Sequence, residues 1–167
     1  MNIRLAKAED LKRVVAITYA CAVHMISKKI FQWDENYPNI EIFKDDVKNK
    51  SLFVIEDNEL IMGCICISLQ IDDVYKDVKW LTPNSNNVYL HRLAIHPNFQ
   101  GQGLALKLME YAEDFTSKNG CVSIRLDTFS GNPKNNKFYI MQGYTKLEKI
   151  FYRNQSDMPF HCFEKIL

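Results

Sequence analysis

Several features that define large functional classes are missing from this sequence. Its 21 lysine and arginine residues are balanced by 20 aspartate and glutamate residues, and no basic block or stripe stands out. Because nucleic-acid-binding proteins need such patches to neutralise phosphates, we expect no nucleic acid partner. No apolar run approaches the roughly 20 residues that cross a bilayer, and the first residues lead into a charged amphipathic segment unlike a signal peptide. We therefore expect a cytoplasmic protein with no membrane partner.

The cysteines lack the spacing of a metal or redox site. There are five of them, an odd count, and no C-x-x-C pair occurs. Reduced thiols fit this pattern best. Cys64 and Cys66 alternate within an apolar run, which favours positions in the core; a catalytic cysteine paired with one of the four histidines is the alternative.

Nothing in the chain marks a second domain, since no repeat, low-complexity tract or linker interrupts its 167 residues. We predict a single domain over residues 1–167 because a hydrophobic content of 47% is enough for one core. Apolar spacing predicts a strand at 3–5, helices over about 11–25 and 41–48, and paired strands at 52–56 and 60–69. The polar stretch 70–87 is predicted to extend this strand pair irregularly.

The second half of the chain has the pattern of a βαβ unit. An apolar strand at 88–95 passes through glycines into an amphipathic helix, and alternating residues from Val122 to Asp127 form the next strand. A helix crossover joins parallel strands, so we predict that these two strands are parallel. Asn132-Pro133 resembles a helix cap, Gly143 a helix stop, and two final strands follow at 144–152 and 160–166.

The turn between strand and helix has the composition of an anion cradle. Gly101 and Gly103 have no Cβ, and the first N–H groups of the following helix have no partner within the helix. A phosphate ester is a natural ligand there, although a bare G-x-G also occurs in ordinary loops. The Gly-Lys-Ser/Thr of a P-loop and the full G-x-G-x-x-G of a dinucleotide site are both missing, so a nucleotide-binding domain is only a third interpretation.

Two ordered motifs resemble those of the GCN5-related N-acetyltransferases. Gln100, Gly103 and Ala105 occupy the positions of the family's Gln/Arg-x-x-Gly-x-Gly/Ala signature. The second motif runs through Leu126-Asp127, Asn132, Phe138-Tyr139 and Gly143-Tyr144. The resemblance implies an α/β fold of the acyl-CoA N-acyltransferase type. Its α+β mixed sheet would have about seven mostly antiparallel strands with a splayed parallel pair, flanked by about four helices.

The resemblance also implies a reaction. Family members transfer acetyl from acetyl-CoA, used as a co-substrate without a metal, to a primary amine by direct attack on the thioester. The acceptor here would be a small molecule or a protein. The alternative from a different class is a non-catalytic acyl-CoA-binding sensor or regulatory module. Exposed edge strands near the C-terminus leave room for a homodimer.

The coenzyme contacts implied by the resemblance fall on three segments. Main-chain groups of the strand would pair with the pantetheine arm, and N–H groups of the glycine turn would hold the pyrophosphate. Asn132 would contact the coenzyme, cap its helix, or do both. The residues concerned in the first two segments are Leu93, Ala94, Ile95, Gln100, Gly101, Gln102, Gly103, Leu104 and Ala105.

Two residues are candidates for proton transfer. Tyr139 aligns with the tyrosine that protonates the departing thiolate in many family members; packing of its helix on the sheet is the alternative. His91 stands two residues before Leu93, at a position where many members carry a carboxylate, and it is our candidate base; a strand histidine that only fills or caps the sheet edge is the alternative. His96, before Pro97, is interpreted as structural.

The aromatic segment 31–38 is similar to that of a bacterial subgroup of the family. By that similarity, Trp33 and Tyr37 line an acceptor pocket; core aromatics are the alternative. Asp34 and Glu35 would attract an amine there or would be solvated loop charges. Acceptor specificity is expected to lie in 32–38 and 72–87.

Overall fold

The computed structural model describes residues 1–152 and 155–167. In this part of the chain, seven strands and four α-helices follow one another in the predicted order. They are β1 (Asn2–Leu5), α1 (Leu11–Ser27), α2 (Ile40–Lys48), β2 (Leu52–Asp57), β3 (Leu60–Ser68), β4 (Asn87–Ile95), α3 (Leu104–Lys118), β5 (Ser123–Phe129), α4 (Pro133–Met141), β6 (Thr145–Ile150) and β7 (Phe160–Ile166).

The strands form one mixed sheet in the order β1-β2-β3-β4-β5-β7-β6. The β4 and β5 strands are parallel, with Asn87–Leu90 opposite Ser123–Leu126, as the helix crossover requires. The β1–β2, β2–β3, β5–β7 and β6–β7 pairs are antiparallel. The predicted fold class, a mixed sheet with a parallel pair and four helices, is confirmed.

Two compact units share the chain. The first comprises Met1–Ile67 and His91–Ala112, and the second comprises Ser68–Leu90 and Glu113–Leu167. In the first unit, α1 directs Val14, Ile17 and Cys21 into a core because residues three and four apart share one helix face. None of the helices in the described residues has both the length and the apolar character to cross a membrane.

A close approach of two main chains explains the glycine in β3. A Cβ at Gly63 would lie 2.6 Å from the Ala94 carbonyl oxygen and 2.4 Å from Ile95 Cδ1. Every larger side chain would therefore push against the end of β4. Nothing in the apolar run 60–69 indicates this constraint.

Cys64 and Cys66 are buried in the first unit, as predicted for core residues. Burial raises the pKa of the Cys66 thiol to about 11 and keeps the pKa of Cys64 above its ordinary value. Both thiols are therefore protonated near neutral pH. This disfavours the alternative of a catalytic cysteine, which must react as a thiolate.

The polar stretch before β4 does not extend the β2–β3 hairpin. A short 3₁₀ turn at Asp73–Tyr75 lies within it, and its later part encloses the fully buried guanidinium of Arg125. The Thr82 and Pro83 carbonyl oxygens and Asn84 Oδ1 accept hydrogen bonds from that guanidinium. These partners, about 40 residues away in sequence, leave the Arg125 side chain 0% exposed.

Candidate active site

The glycine turn is attached to the end of β4 by a side chain. Gln100 Nε2 donates a hydrogen bond to the Ile95 carbonyl oxygen over 3.0 Å. Gly101 and Gly103 have φ angles of +79° and +75°, a region that side chains rarely adopt. A Cβ at either position would meet no atom within 4 Å. Conformation, not crowding, therefore calls for glycine at both positions, and space remains beside the main chain.

The α3 helix begins directly at this turn. The Gly103 carbonyl oxygen accepts the first helical hydrogen bond, from the Lys107 N–H over 3.1 Å. The preceding N–H groups, from Leu104 onward, are the ones that an α-helix cannot satisfy internally. Together with the dipole of a 15-residue helix, they favour an anion at this end.

The β4 strand changes conformation just before Leu93, Ala94 and Ile95, the residues expected to contact the coenzyme. Its pairing with β5 covers Asn87–Leu90, and Arg92 then has a φ angle of +52°. After it, Leu93 is half-buried, whereas Ala94 and Ile95 are buried. The Met62 carbonyl oxygen accepts a hydrogen bond from the His96 N–H over 2.9 Å. Hydrogen bonds therefore fix β4 both before and after Leu93–Ile95, through the pairing with β5 up to Leu90 and through the His96–Met62 contact.

The two histidines of this region differ in environment. Burial lowers the pKa of His91 to about 3, and the positive charge of Arg92 acts in the same direction. His91 is therefore neutral near neutral pH. His96 Nδ1 accepts a hydrogen bond from the Asn98 N–H over 3.2 Å and caps the short turn Pro97–Phe99, which confirms its structural interpretation.

In the second unit, Asn132 caps α4. Its Oδ1 accepts a hydrogen bond from the Asn135 N–H over 3.1 Å, and Pro133 occupies the first helical turn. Proline fits there because its missing N–H would have no helical partner. The predicted cap is confirmed, and the coenzyme contact of Asn132 stays a prediction.

Tyr139 lies on α4 with its side chain packed among three aromatic rings. The Phe138, Phe163 and Tyr144 ring centroids are 5.3, 5.7 and 6.0 Å from its own. Burial raises the pKa of Tyr139, and the negative charge of Asp127 adds to this effect. The phenol keeps its proton through neutral pH, as a proton donor must, and the packing alternative is also satisfied.

Asp127 received no role from the sequence, although it belongs to the second motif. The hydroxyl groups of Tyr75 and Tyr152 both donate to its Oδ1, the latter over 2.9 Å. Burial and the nearby Asp127 charge raise the pKa of Tyr75 well above its ordinary value. Two phenol hydroxyl groups thus donate to one carboxylate oxygen. The only sequence signal for this arrangement was the position of Asp127 in the second motif.

The aromatic segment is partly core. Trp33 is buried in the cluster that contains Phe43 and Leu52, and Tyr37 packs against the same cluster. Asp34 Oδ1 accepts hydrogen bonds from the N–H groups of Asn36 and Tyr37 and so shapes the loop. The burial of Trp33 favours the core alternative for this residue, and the acceptor role of the segment stays a prediction.

Comparison with known families agrees with this geometry. The Acetyltransferase (GNAT) family matches residues 8–144, which include both motifs and the glycine turn. The chain belongs to this family. The predicted family membership is thereby confirmed.

Individual relatives are more distant. YesJ, an uncharacterised N-acetyltransferase of Bacillus subtilis strain 168, is 30% identical over 82 residues, covering 49% of this chain and 42% of that protein. The matched segment thus spans less than half of that relative's length. A GNAT-family acetyltransferase from Streptococcus agalactiae 2603 has the same fold, with a TM-score of 0.79, 23% identity and coverage of 99% and 95% of the two chains. The PaiA N-acetyltransferase of Thermoplasma acidophilum, crystallised in complex with coenzyme A, has a TM-score of 0.73, 16% identity and coverage of 99% and 98%.

Proposed function

We propose that this protein is an N-acetyltransferase that moves an acetyl group from acetyl-CoA to a primary amine of a small molecule or a protein. The observation that carries the proposal is the open Gly101–Gly103 turn at the N-terminus of α3, in a chain of the GNAT family. The complex of the PaiA relative with coenzyme A supports the choice of ligand.

Each coenzyme contact uses main-chain chemistry. The N–H groups from Gly101 to Ala105 would bind the pyrophosphate, since they combine unsatisfied donors with the positive end of the helix dipole. The main chain of Leu93–Ile95 would pair with the amides of the pantetheine arm. Gln100 would act by fixing the turn on the Ile95 carbonyl group, the contact that the geometry gives it. Among the described residues, no group of three or more histidine, cysteine or acidic side chains is arranged to bind a metal.

The reaction requires two proton movements. The amine nitrogen bonds to the thioester carbonyl carbon, the carbon–sulfur bond breaks, and the sulfur leaves with the bonding electrons. The nitrogen loses one proton and the thiolate gains one. Tyr139 is our candidate donor to the thiolate, because its raised pKa keeps the phenol protonated until that negative charge appears.

His91 is our candidate acceptor for the amine proton, directly or through water. A pKa of about 3 leaves its imidazole neutral, with a ring lone pair, at all pH values where the protein would work. Because the base is this weak, a protonated His91 would not accumulate and would release the proton at once. We therefore expect the pH–rate profile to lack an inflection near the ordinary histidine pKa of about 6.5. An acid limb at that pH that disappears in His91→Gln would contradict the assigned environment.

Release of free thiol from acetyl-CoA, measured across a panel of primary amines, tests catalysis. The wild-type protein should release thiol only when an accepted amine is present. Tyr139→Phe should lower turnover by about 10²-fold, because it removes the proton donor but keeps the ring. Tyr144→Phe is the matched control, since it removes a neighbouring buried hydroxyl that has no assigned role.

The same assay separates the proposal from its alternative. Tight acetyl-CoA binding without thiol release for any amine would indicate a non-catalytic sensor module. Equal turnover in Tyr139→Phe and the wild type would remove Tyr139 from the mechanism and leave its packing role.

A further inference from the structure

One buried ion pair in the first unit joins α2 to β4. Arg92 Nε donates to Asp46 Oδ2 over 2.9 Å, and Arg92 Nη2 donates to Asp46 Oδ1 over 2.7 Å. The two side chains are 12% and 11% exposed. This bidentate geometry fixes the direction of the guanidinium as well as its position.

The pair is attached to further polar groups of the same unit. Cys66 Sγ lies 3.5 Å from Asp46 Oδ1, and the same thiol lies 3.5 Å from Ser51 Oγ. Tyr37 interacts electrostatically with the Arg92 guanidinium. Arg92 therefore links α2, which carries Asp46, to the loop that carries Tyr37.

The backbone at Arg92 has an uncommon conformation. Its φ of +52° lies in the left-handed region, which residues other than glycine, asparagine and aspartate seldom adopt. Such conformations persist where surrounding contacts impose them. At Arg92, the side chain is held by the ion pair with Asp46, and the carbonyl oxygen lies 3.8 Å from Cys64 Sγ.

We propose that Asp46 and Arg92 are positioning residues, whose ion pair holds the β4 main chain in the course that presents Leu93–Ile95 to the pantetheine arm of the coenzyme. A buried ion pair is a weak source of stability compared with apolar packing, and its two parallel hydrogen bonds add geometric specificity. Tyr37 also interacts with Arg92. The Arg92 side chain therefore contacts both the aromatic segment 31–38 and the α2 helix, and Arg92 lies directly before Leu93–Ile95. The inference rests on the proposed function.

The test separates the two halves of the coenzyme. Calorimetric titration measures the dissociation constants of coenzyme A and of adenosine 3′,5′-bisphosphate, a fragment that has no pantetheine arm. Asp46→Asn should weaken coenzyme A binding roughly tenfold, since small displacements of positioned groups are costly. Binding of the bisphosphate fragment should change by less than about twofold, because the hydrogen bonds of the pair lie between α2 and β4 and the glycine turn is connected to β4 through the Gln100–Ile95 contact.

Asp45→Asn is the matched control, because it makes the same chemical change one position earlier on α2, at an exposed site. It should change neither dissociation constant. Each variant is first checked for a cooperative thermal transition. If Asp46→Asn does not fold, Arg92→Lys replaces it, since lysine keeps the charge but cannot form the bidentate contact.

The outcomes are distinguishable. Selective loss of coenzyme A affinity supports the positioning role. Unchanged affinity in a folded variant, or an equal loss for both ligands, overturns it and leaves the proposed function in place. Failure of the wild-type protein to bind coenzyme A overturns the proposed function and this inference together.

Discussion

Two buried arginine–carboxylate pairs, one in each unit, show how the same chemistry serves different ends. Arg125 and Glu164 in the second unit are both 0% exposed, and their N···O distance is 3.0 Å. The guanidinium of Arg125 also donates to Asn84 Oδ1 and lies 4.7 Å from the centroid of the Trp80 ring. Arg92 in the first unit keeps slight exposure and occupies a left-handed turn of β4. The Arg125–Glu164 pair organises the loop before β4 around itself, whereas the Asp46–Arg92 pair holds the main chain of β4.

The carboxylates of the two pairs also differ in their pKa. Burial raises the pKa of Glu164, but hydrogen bonds from Thr82, Ser123 and Arg125 outweigh this effect and leave it below its ordinary value. Burial raises the pKa of Asp46 as well, and Arg92 only partly offsets that increase. Glu164, which accepts more hydrogen bonds, therefore stays charged to a lower pH relative to its ordinary pKa than Asp46 does.

The largest effect should come from breaking the pair in the second unit. Arg125→Met should lower the free energy of unfolding by about 3–5 kcal/mol, because Glu164 would remain buried without its cation. Urea denaturation measures the loss. The double variant Arg125→Met/Glu164→Gln should recover part of it, since no charge is then buried. A loss below about 1 kcal/mol in the single variant would show that the pair contributes little.

A smaller loss is expected from the pair in the first unit. Asp46→Asn should cost about 1–2 kcal/mol, because asparagine keeps one acceptor oxygen and Arg92 retains some access to water. Asp45→Asn should stay within about 0.5 kcal/mol of the wild type, as an exposed site predicts. If Asp46→Asn lowered the free energy of unfolding as much as Arg125→Met does, the proposed difference between the Arg125–Glu164 pair and the Asp46–Arg92 pair would be wrong.

The smallest expected effect is the loss of the stability contribution of Glu164 at low pH. The pKa of Glu164 is lower in the folded state than in the unfolded state, so its contribution is present above the unfolded value of about 4.5. It is lost as the pH falls through the folded value. The stability difference between wild type and Glu164→Gln should therefore shrink as urea denaturation is repeated from pH 7 to pH 3. A difference independent of pH over this range would contradict the lowered pKa.

Local signals were enough to predict most of the fold. Hydrophobic periodicity predicted the order of strands and helices, and the pair Asn132-Pro133 predicted the start of α4. Family motifs then located the glycine turn and Tyr139. These features depend on neighbours within one turn or one strand of the chain, which is the range that sequence patterns describe.

Features set by distant partners could not be predicted in this way. Asp46 is 46 residues from Arg92 in sequence, and nothing near Arg92 indicates a positive φ angle. Arg125 follows the alternation of a half-exposed strand, yet the loop before β4 buries it completely. The glycine at position 63 is explained by the close approach of Ala94 and Ile95 on the neighbouring strand.

A pair of matched glycine variants tests whether the glycine turn of α3 binds an acyl-CoA. Gly103 and Gly120, at the two ends of α3, have φ angles of +75° and +67°, and a Cβ at either would meet no atom within 4 Å. Alanine should therefore cost about 1 kcal/mol of stability at each position, through the backbone alone.

Thermal unfolding with and without acetyl-CoA is the measurement, with NAD and ATP as controls. At about 100 times the dissociation constant, acetyl-CoA should raise the wild-type midpoint by roughly 5 to 10 °C. We expect the same increase for Gly120→Ala and a much smaller one for Gly103→Ala. No increase in a folded wild-type sample, or equal increases in both variants, would contradict this expectation.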